Sequence, residues 1–160
     1  MTPTHESGKM TSWGGGPKFA LISLVVLLFI GFVNFYFFPV LALPFDLLRF
    51  SAGVALIALG VAMCLVAAVQ VHKAFDKGKL VTSGLYAYLR NPVYAAFILL
   101  IAPGLILVTG LLLLIVLPFV MYALVRFLIA DEDRYLEEKF GQEYLEYKKR
   151  VNSIIPKFSR

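Results

Sequence analysis

Side chains that could bind a ligand or take part in a reaction are concentrated in two polar stretches of this chain. The first, TSGLYAYLRNPVY over residues 82–94, places Arg90 and Asn91 directly before a proline. The second follows the last apolar run and opens with an acidic pair, Glu132 and Asp133. A guanidinium, an amide and two carboxylates among tyrosines suit a ligand that is zwitterionic, or cationic at one end. The sequence has no catalytic triad and no cluster of metal-ligating residues, so we expect no bound metal.

These stretches flank apolar runs that are long enough to cross a membrane. Of the 160 residues 60% are hydrophobic, and the mean hydropathy is +0.83, which is too apolar for a water-soluble domain of this size. A helical span needs about 20 apolar residues. Four such runs occur, at residues 19–40, 51–71, 93–109 and 111–130. The composition therefore predicts an all-α membrane protein whose body, residues 19–130, is a four-helix transmembrane bundle.

Glycine and proline divide the rest of the chain. Gly110 offers a tight turn between the last two spans, which then form a helical hairpin. Pro103 and Pro118 fall inside these spans, and we expect them to kink the helices without ending them. Residues 1–18 are polar and glycine-rich, which predicts a flexible N-terminus, and residues 131–160 predict a helical tail.

The distribution of Lys and Arg predicts the orientation of the bundle. Basic residues lie before the first span, between the second and third, and after the fourth, whereas the opposite side has only Arg49, close to Asp46. We therefore expect a multi-pass integral membrane protein with both termini, and hence the amphipathic tail, in the cytoplasm. The net charge of +5 indicates contact with anionic membrane lipids rather than nucleic acid. The oligomeric state stays open, although small residues at Gly53, Gly60 and Ala67 offer one candidate dimer contact.

The tail has the pattern of an amphipathic helix. Glu132 shares a stripe with Leu136 and Phe140, Gly141 is placed to end that helix, and QEYLEYKKR can begin another. One interpretation is a tail that lies on the membrane surface while Arg126 extends toward the lipid headgroups. That interpretation requires no bound ligand.

A second interpretation brings the polar residues together at one end of the bundle. Arg90 and Arg126 lie on the two arms of one hairpin at the same depth, and the acidic pair follows within two turns. Pro92 keeps Asn91 out of the helical region and so aims it toward the same place. Charged groups at a membrane edge are costly and require partners. We expect these side chains to line one site together with five tyrosines: Tyr86, Tyr88, Tyr94, Tyr144 and Tyr147.

The order of these motifs is similar to that of a known superfamily. TSGLYAYLRNPVY, an apolar hairpin and then EDRYLEEKFGQEYLEYKKRVNSIIP resemble the isoprenylcysteine carboxyl methyltransferases and phospholipid methyltransferases, which are membrane-embedded enzymes. The shared pattern is a Gly-x-Tyr and Arg-(His or Asn)-Pro-x-Tyr loop, a helical hairpin, an acidic pair, Phe-Gly-x-x-Tyr-x-x-Tyr and a closing Ile-Pro. The resemblance covers residues 79–156.

The resemblance implies a methyltransferase that uses S-adenosylmethionine and acts on a lipid or lipid-like acceptor at the cytoplasmic membrane interface. The cofactor would lie between the hairpin and the tail, with Arg90 and Glu132 as the catalytic residues. We expect its binding residues to be Tyr86, Arg90, Asn91, Pro92, Tyr94, Arg126, Glu132, Asp133, Tyr144 and Tyr147. Carboxylates and tyrosine faces would offset its cationic groups, and an arginine, Arg90 or Arg126, would bind its carboxylate. Methyl transfer then requires mainly alignment and the exclusion of water.

The methyl acceptor, a carboxylate or an amine, stays open. Asn91 stands where the isoprenylcysteine enzymes usually have histidine, and Asp133 where the acidic pair usually has a second glutamate. The Gly-x-Gly of the phosphatidylethanolamine enzymes has at best a counterpart in ALGVA around Gly60. An amine acceptor would need a base, for which His72 is a candidate, although such a histidine is more often simply interfacial. Two other classes remain: a nicotinamide-dependent sterol-type reductase, which carries a similar Arg-His-Pro-x-Tyr loop, and a non-enzymatic membrane scaffold.

Overall fold

The structure, a computed structural model, describes residues 15–75 and 78–156 of the chain, so most of the predicted flexible N-terminus lies outside the described residues. Within the described residues the α-helices are α1 (Gly16–Phe37), α2 (Leu47–Phe75), α3 (Pro92–Ala96), α4 (Ala102–Thr109), α5 (Leu117–Phe140) and α6 (Gln142–Arg150). Short 3-10 helices cover Pro39–Leu41, Gly84–Ala87 and Leu112–Val116, and a π-helix, Phe97–Ile101, joins α3 to α4.

Four helical segments are long and apolar enough to cross a membrane: Lys18–Phe37, Leu47–Ala74, Pro92–Thr109 and Leu112–Phe140. The predicted all-α fold with four transmembrane helices is thereby confirmed. Two helices run further than the apolar runs indicated, because helical geometry continues into polar sequence: α2 includes His72 and Lys73, and α5 includes the acidic pair. The side of the membrane on which the termini lie stays a prediction.

The two hairpin prolines mark changes of helix type. Pro103 lies in the first turn of α4, directly after the π-helix. At the end of the π-helix, the backbone N–H of Ala102 donates to the carbonyl oxygen of Phe97. Proline has no N–H to continue an α-helical ladder, and the wider π turn accommodates that loss. Pro118 lies in the first turn of α5, where a 3-10 helix gives way to an α-helix. Both spans continue through their prolines, as the sequence predicted.

Small residues bring α2 close to the third span. A Cβ atom on Gly53 would lie 2.8 Å from the carbonyl oxygen of Gly104, and one on Gly104 would lie 2.9 Å from the carbonyl oxygen of Gly53. Gly60 approaches Ile101 in the same way, and Ala67 is fully buried. Close helix contacts through small residues are common in membrane bundles. The face that offered a candidate dimer contact is therefore packed inside the chain.

One end of the bundle, which we call the turn end, contains the connection from α1 to α2 and the turn at Gly110. Gly110 adopts a left-handed conformation with φ of +71°, and its carbonyl oxygen accepts from Leu43 N–H at 2.9 Å. Asn34 is fully buried and uses its amide oxygen to accept from Leu113 N–H at 3.1 Å. Its amide nitrogen donates to the carbonyl oxygen of Phe38 at 3.2 Å. These bonds join α1 to the hairpin.

The other end, which we call the tail end, contains the loop before α3, the end of α5, helix α6 and residues 151–156. Gly141, with φ of +52°, separates α5 from α6, as the sequence predicted. Val151 and Ile154 are buried, so the chain after α6 folds back onto the bundle. This return brings residues that are distant in sequence into contact with the Arg-Asn-Pro loop.

Candidate functional site

Arg90 is the centre of the polar contacts at the tail end. Its side chain is only 10% exposed, and its Nη1 donates to Asp133 Oδ1 at 2.9 Å and to the hydroxyl of Tyr144 at 2.8 Å. Tyr144 in turn donates its hydroxyl hydrogen to Asp133. Lys148 Nζ completes the cluster at 2.9 Å from Asp133 Oδ2 and 2.6 Å from Glu137 Oε1. We call Arg90, Asp133, Tyr144 and Lys148 the Arg90 cluster.

The local environment favours the protonated forms of Tyr144 and Lys148. Burial raises the pKa of the Tyr144 phenol well above its usual value, and the hydrogen bond to Asp133 raises it further. Tyr144 therefore stays neutral and can donate to Asp133 while it accepts from Arg90. The hydrogen bond to Glu137, followed by the contact with Asp133, raises the pKa of Lys148. The cluster, together with Glu137, thus brings two basic side chains against two acidic ones.

Residues after α6 hold the Arg-Asn-Pro loop in place. The backbone N–H of Arg90 donates to the carbonyl oxygen of Asn152 at 2.8 Å, and that of Asn91 to the carbonyl oxygen of Ser153 at 3.0 Å. The Asn91 amide nitrogen also donates to Ser153 Oγ at 2.9 Å. Asn91 is outside the helical region and Pro92 occupies the first turn of α3, as predicted. The loop is therefore positioned by backbone pairing with the tail.

Two predicted tyrosines form a contact beside the cluster. The Tyr147 hydroxyl donates to the carbonyl oxygen of Tyr86 at 2.7 Å, and both side chains are buried. Burial raises the pKa of each phenol well above its usual value, so both stay protonated. Tyr88, in contrast, is 62% exposed. Tyr86 and Tyr147 therefore join the loop to α6, and Tyr88 does not.

The two members of the acidic pair take part in different networks. Glu132 Oε1 accepts from the Tyr94 hydroxyl at 3.2 Å and from the backbone N–H of Gly15 at 2.9 Å. Asp133 belongs to the Arg90 cluster. Consecutive helical residues point about 100° apart, since a turn holds 3.6 residues. Tyr94 and Glu132 thus form a second polar group on the side of α5 that faces the start of α1.

Arg126 lies apart from both networks. It is exposed on α5 and, with Tyr122 and residues 152–155, lines a surface cleft of about 170 Å³. Ser153 is in this lining and also bonds Asn91, so the cleft borders the back of the Arg-Asn-Pro loop. The structure brings together Arg90, Asp133 and Tyr144, pairs Tyr86 with Tyr147 and Tyr94 with Glu132, and leaves Arg126 in a cleft of its own. The roles of these residues toward a cofactor stay predictions.

Several residues of the site carry no sequence signal of their own. Asn152 and Gly15 contribute backbone atoms, which no side-chain pattern reveals. Ser153 lies beyond the FGQEY segment in the sequence, and it reaches Asn91 only because the chain folds back after α6. Lys148 lies four residues after Tyr144, so its position on the same face of α6 was readable from helical spacing.

Comparison with known proteins identifies the family. Residues 48–143 match the profile of a family described as phospholipid methyltransferase. Protein-S-isoprenylcysteine O-methyltransferase B of Arabidopsis thaliana is 32% identical over 78 residues, which cover 49% of this chain and 40% of that protein. Protein-S-isoprenylcysteine O-methyltransferase of Schizosaccharomyces pombe is 34% identical over 77 residues, or 48% of this chain and 33% of that protein.

A probable protein-S-isoprenylcysteine O-methyltransferase of Oryza sativa subsp. indica is 30% identical over 81 residues, which cover 51% of this chain and 42% of that protein. The matched region therefore spans less than half the length of each of these curated relatives. The resemblance inferred from the Arg-Asn-Pro loop, the hairpin and the FGQEY segment is confirmed. The chain belongs to the phospholipid methyltransferase family.

Proposed function

We propose that the chain is an integral membrane methyltransferase that moves a methyl group from S-adenosylmethionine to a lipid or lipid-like acceptor. The reaction takes place at the tail end of the bundle, which we propose is cytoplasmic. The observation that supports this most is the Arg90 cluster, in which the loop, the end of α5 and α6 each supply a charged or hydrogen-bonding side chain. The loop and the end of α5 lie within the family match, residues 48–143, and α6 lies in the region that carries the resemblance.

The side chains present fit the charges of this cofactor. Arg90 Nε is buried and has no acceptor among the described residues, so it has a donor available for a carboxylate. Glu132 makes both of its hydrogen bonds through Oε1, which leaves Oε2 without a partner among the described residues and available to a cationic group. The faces of Tyr94 and Tyr144 offer further stabilisation of positive charge.

When bound, S-adenosylmethionine supplies a methyl group on a positively charged sulfur. We propose that Arg90 and Glu132 bind its opposite charges and so orient the methyl group, with Asn91, Pro92, Tyr86 and Tyr147 shaping the loop and its cover. Asp133 and Tyr144 hold the guanidinium of Arg90 in position through the contacts described above. The buried tyrosines exclude water from the site. Methyl transfer then depends on the alignment of donor and acceptor and requires no acid or nucleophilic residue.

His72 is a candidate base for an amine acceptor. It is exposed at the end of α2, on the same end of the bundle as the loop before α3. A carboxylate acceptor needs no base, since it is already ionised at neutral pH. The dependence of methyl transfer on His72 therefore distinguishes the two acceptor classes.

The test measures methyl transfer by the full-length chain after purification and reconstitution into lipid membranes. Incubation with S-adenosylmethionine that carries a tritiated methyl group should place label in the lipid-extractable fraction. Glu132→Ala should abolish that labelling, whereas Glu138→Ala, an exposed glutamate on the same helix, should leave it unchanged. Labelling that is absent from the wild type, or that Glu132→Ala does not change, would reject the proposal. A parallel incubation with reduced nicotinamide nucleotide tests the reductase alternative through loss of its absorbance.

A further inference from the structure

Within the part of the chain that the structure describes, the guanidinium of Arg126 lies in a membrane-spanning helix and has no anionic partner. It belongs to the span Leu112–Phe140, and it forms no ion pair with the described residues. Asp131, the nearest carboxylate along α5, forms no ion pair with Arg126. The next two carboxylates have other partners, since Asp133 belongs to the Arg90 cluster and Glu132 bonds to Tyr94 and Gly15. A charged group at membrane depth is costly unless it is paired. Among the described residues no anion pairs with Arg126, so an anion bound from the bilayer or from solution would stabilise it.

The depth of Arg126 indicates where that anion lies. With the Gly110 turn at one membrane boundary, the other falls near residue 130, because the hydrocarbon core takes about 20 helical residues. The sequence changes from apolar to charged at Asp131, which agrees with that position. Arg126 is then about one helical turn, or roughly 5 Å, inside the boundary. An arginine side chain reaches that far, so its guanidinium meets the level of the lipid phosphates.

The cleft beside Arg126 has both polar and apolar lining residues and is large enough for a phosphate group. Its lining includes Tyr122, Asn152 and Ser153, whose side chains carry a phenol, an amide and a hydroxyl, and its volume is about 170 Å³. That is about ten times the space that one water molecule needs. Together with the guanidinium these groups supply several hydrogen-bond donors, which is the chemistry that binds a phosphate. The cleft thus offers donors and no carboxylate.

Apolar side chains continue from the cleft toward the membrane interior. Ile155 lines the cleft and is 62% exposed, and Phe119, seven residues before Arg126 on α5, is 71% exposed. Residues seven apart lie on one face of a helix, so Phe119 and Arg126 form a stripe that is apolar toward the interior and cationic toward the boundary. A lipid has the matching order of acyl chain and phosphate, whereas a free anion matches only the cationic part.

We propose that the Arg126 cleft binds the phosphate of a bilayer glycerophospholipid, whose acyl chains lie along Phe119 and Ile155. This site is separate from the Arg90 cluster and does not depend on methyl transfer. Arg126 is consequently reassigned from the cofactor carboxylate to the lipid, and Arg90 remains as the cofactor's arginine.

The experiment measures binding of phosphatidic acid to the purified full-length chain in detergent by native mass spectrometry. Diacylglycerol with the same acyl chains is the matched lipid without phosphate. Arg126→Gln should weaken phosphatidic acid binding about tenfold, the loss expected for one charge-assisted contact. Arg134→Gln removes another exposed arginine from α5, outside the cleft lining, and should leave it unchanged.

Three results would overturn the proposal: equal binding of diacylglycerol, equal losses in the two variants, or full displacement of the lipid by inorganic phosphate or by S-adenosylmethionine. Displacement by S-adenosylmethionine would return the cleft to the cofactor. Should Arg126→Gln not fold, Arg126→Lys replaces it, because lysine keeps the charge without the paired donors of the guanidinium. A several-fold weaker binding is then expected, and unchanged binding would also reject the site.

Discussion

Each end of the bundle has an arginine that bonds to distant parts of the chain, but the two arginines have different partners. At the turn end, the Arg49 side chain donates, among the described residues, only to backbone: to the carbonyl oxygen of Pro44 at 2.9 Å and to that of Leu107. At the tail end, Arg90 donates to the side chains of Asp133 and Tyr144 and keeps a buried Nε without an acceptor. The first arrangement closes a helix end, whereas the second leaves a donor available.

The asparagines of the two ends differ in the same way. Asn34 is fully buried at the turn end and bonds backbone groups through both its oxygen and its nitrogen. Asn91 at the tail end donates through its nitrogen to Ser153, and its oxygen has no partner among the described residues. The side chains of the two turn-end residues are therefore bonded within the chain. Arg90 and Asn91 at the tail end, in contrast, each keep one polar atom without a partner among the described residues. This difference is what leads us to place ligand binding at the tail end.

Removing Asp133 should have the largest effect, because it accepts from three partners. Asp133→Ala leaves Arg90 without its carboxylate, and we expect a loss of about 3 kcal/mol in the free energy of unfolding. The affinity for S-adenosylmethionine should fall at least a hundredfold, since Arg90 loses its fixed orientation. Thermal unfolding in detergent and calorimetric titration measure the two quantities. Asp131→Ala, an exposed aspartate two residues earlier, is the control and should change neither.

Removing Arg49 should affect stability alone. Arg49→Ala leaves the carbonyl groups of Pro44 and Leu107 without their donor, and we expect a loss of about 2 kcal/mol because hydrogen bonds to charged groups are strong. The affinity for S-adenosylmethionine should stay within twofold of the wild type. A large loss of affinity at unchanged stability would contradict the division between the two ends.

Removing one hydroxyl from the Arg90 cluster should have a smaller effect. Tyr144→Phe keeps the ring but breaks the bonds to Arg90 and Asp133, at a cost of about 1 kcal/mol in stability. We expect about a tenfold weaker affinity for S-adenosylmethionine, because Arg90 is then held by Asp133 alone. The comparison is with Tyr135→Phe, a tyrosine of α5 outside the cluster, which should match the wild type.

Alkaline pH should weaken the tail end before the turn end. The pKa of Tyr86, Tyr144 and Tyr147 is raised on folding, so their contribution to stability is fully present below the unfolded value near 10. It is lost as the pH rises from there through the higher folded values. The thermal midpoint should therefore be insensitive to these groups up to about pH 10 and fall above it. Tyr147→Phe should make that fall less steep; an identical fall in the variant would contradict the assignment.

Local signals made much of the fold predictable. The apolar runs gave the spans, and Gly110, Pro92 and Gly141 marked a turn, a helix start and a helix end, because each acts through its own backbone geometry. Helical spacing also put Glu132 on the stripe of Leu136. The end of α2 was less predictable, since its helical geometry extends beyond the apolar run into polar sequence without a stop signal.

The arrangement of the site was predictable only in part. Arg90, Asp133 and Tyr144 do meet, but the acidic pair divides between two networks, and Arg126 lies in a separate cleft. The backbone partners of Arg90 and Asn91 depend on where residues 151–156 return, and Val151 and Ile154 are buried along that path. No periodicity in the sequence encodes it.

Calorimetric titration of the purified full-length chain with S-adenosylmethionine tests the central claim most directly. The wild type and Arg49→Ala should bind one equivalent with similar affinity. Arg90→Ala removes the buried Nε donor at the tail end and should show no measurable binding. Equal affinities of Arg90→Ala and the wild type for S-adenosylmethionine would contradict the account, and so would a folded wild type that does not bind it.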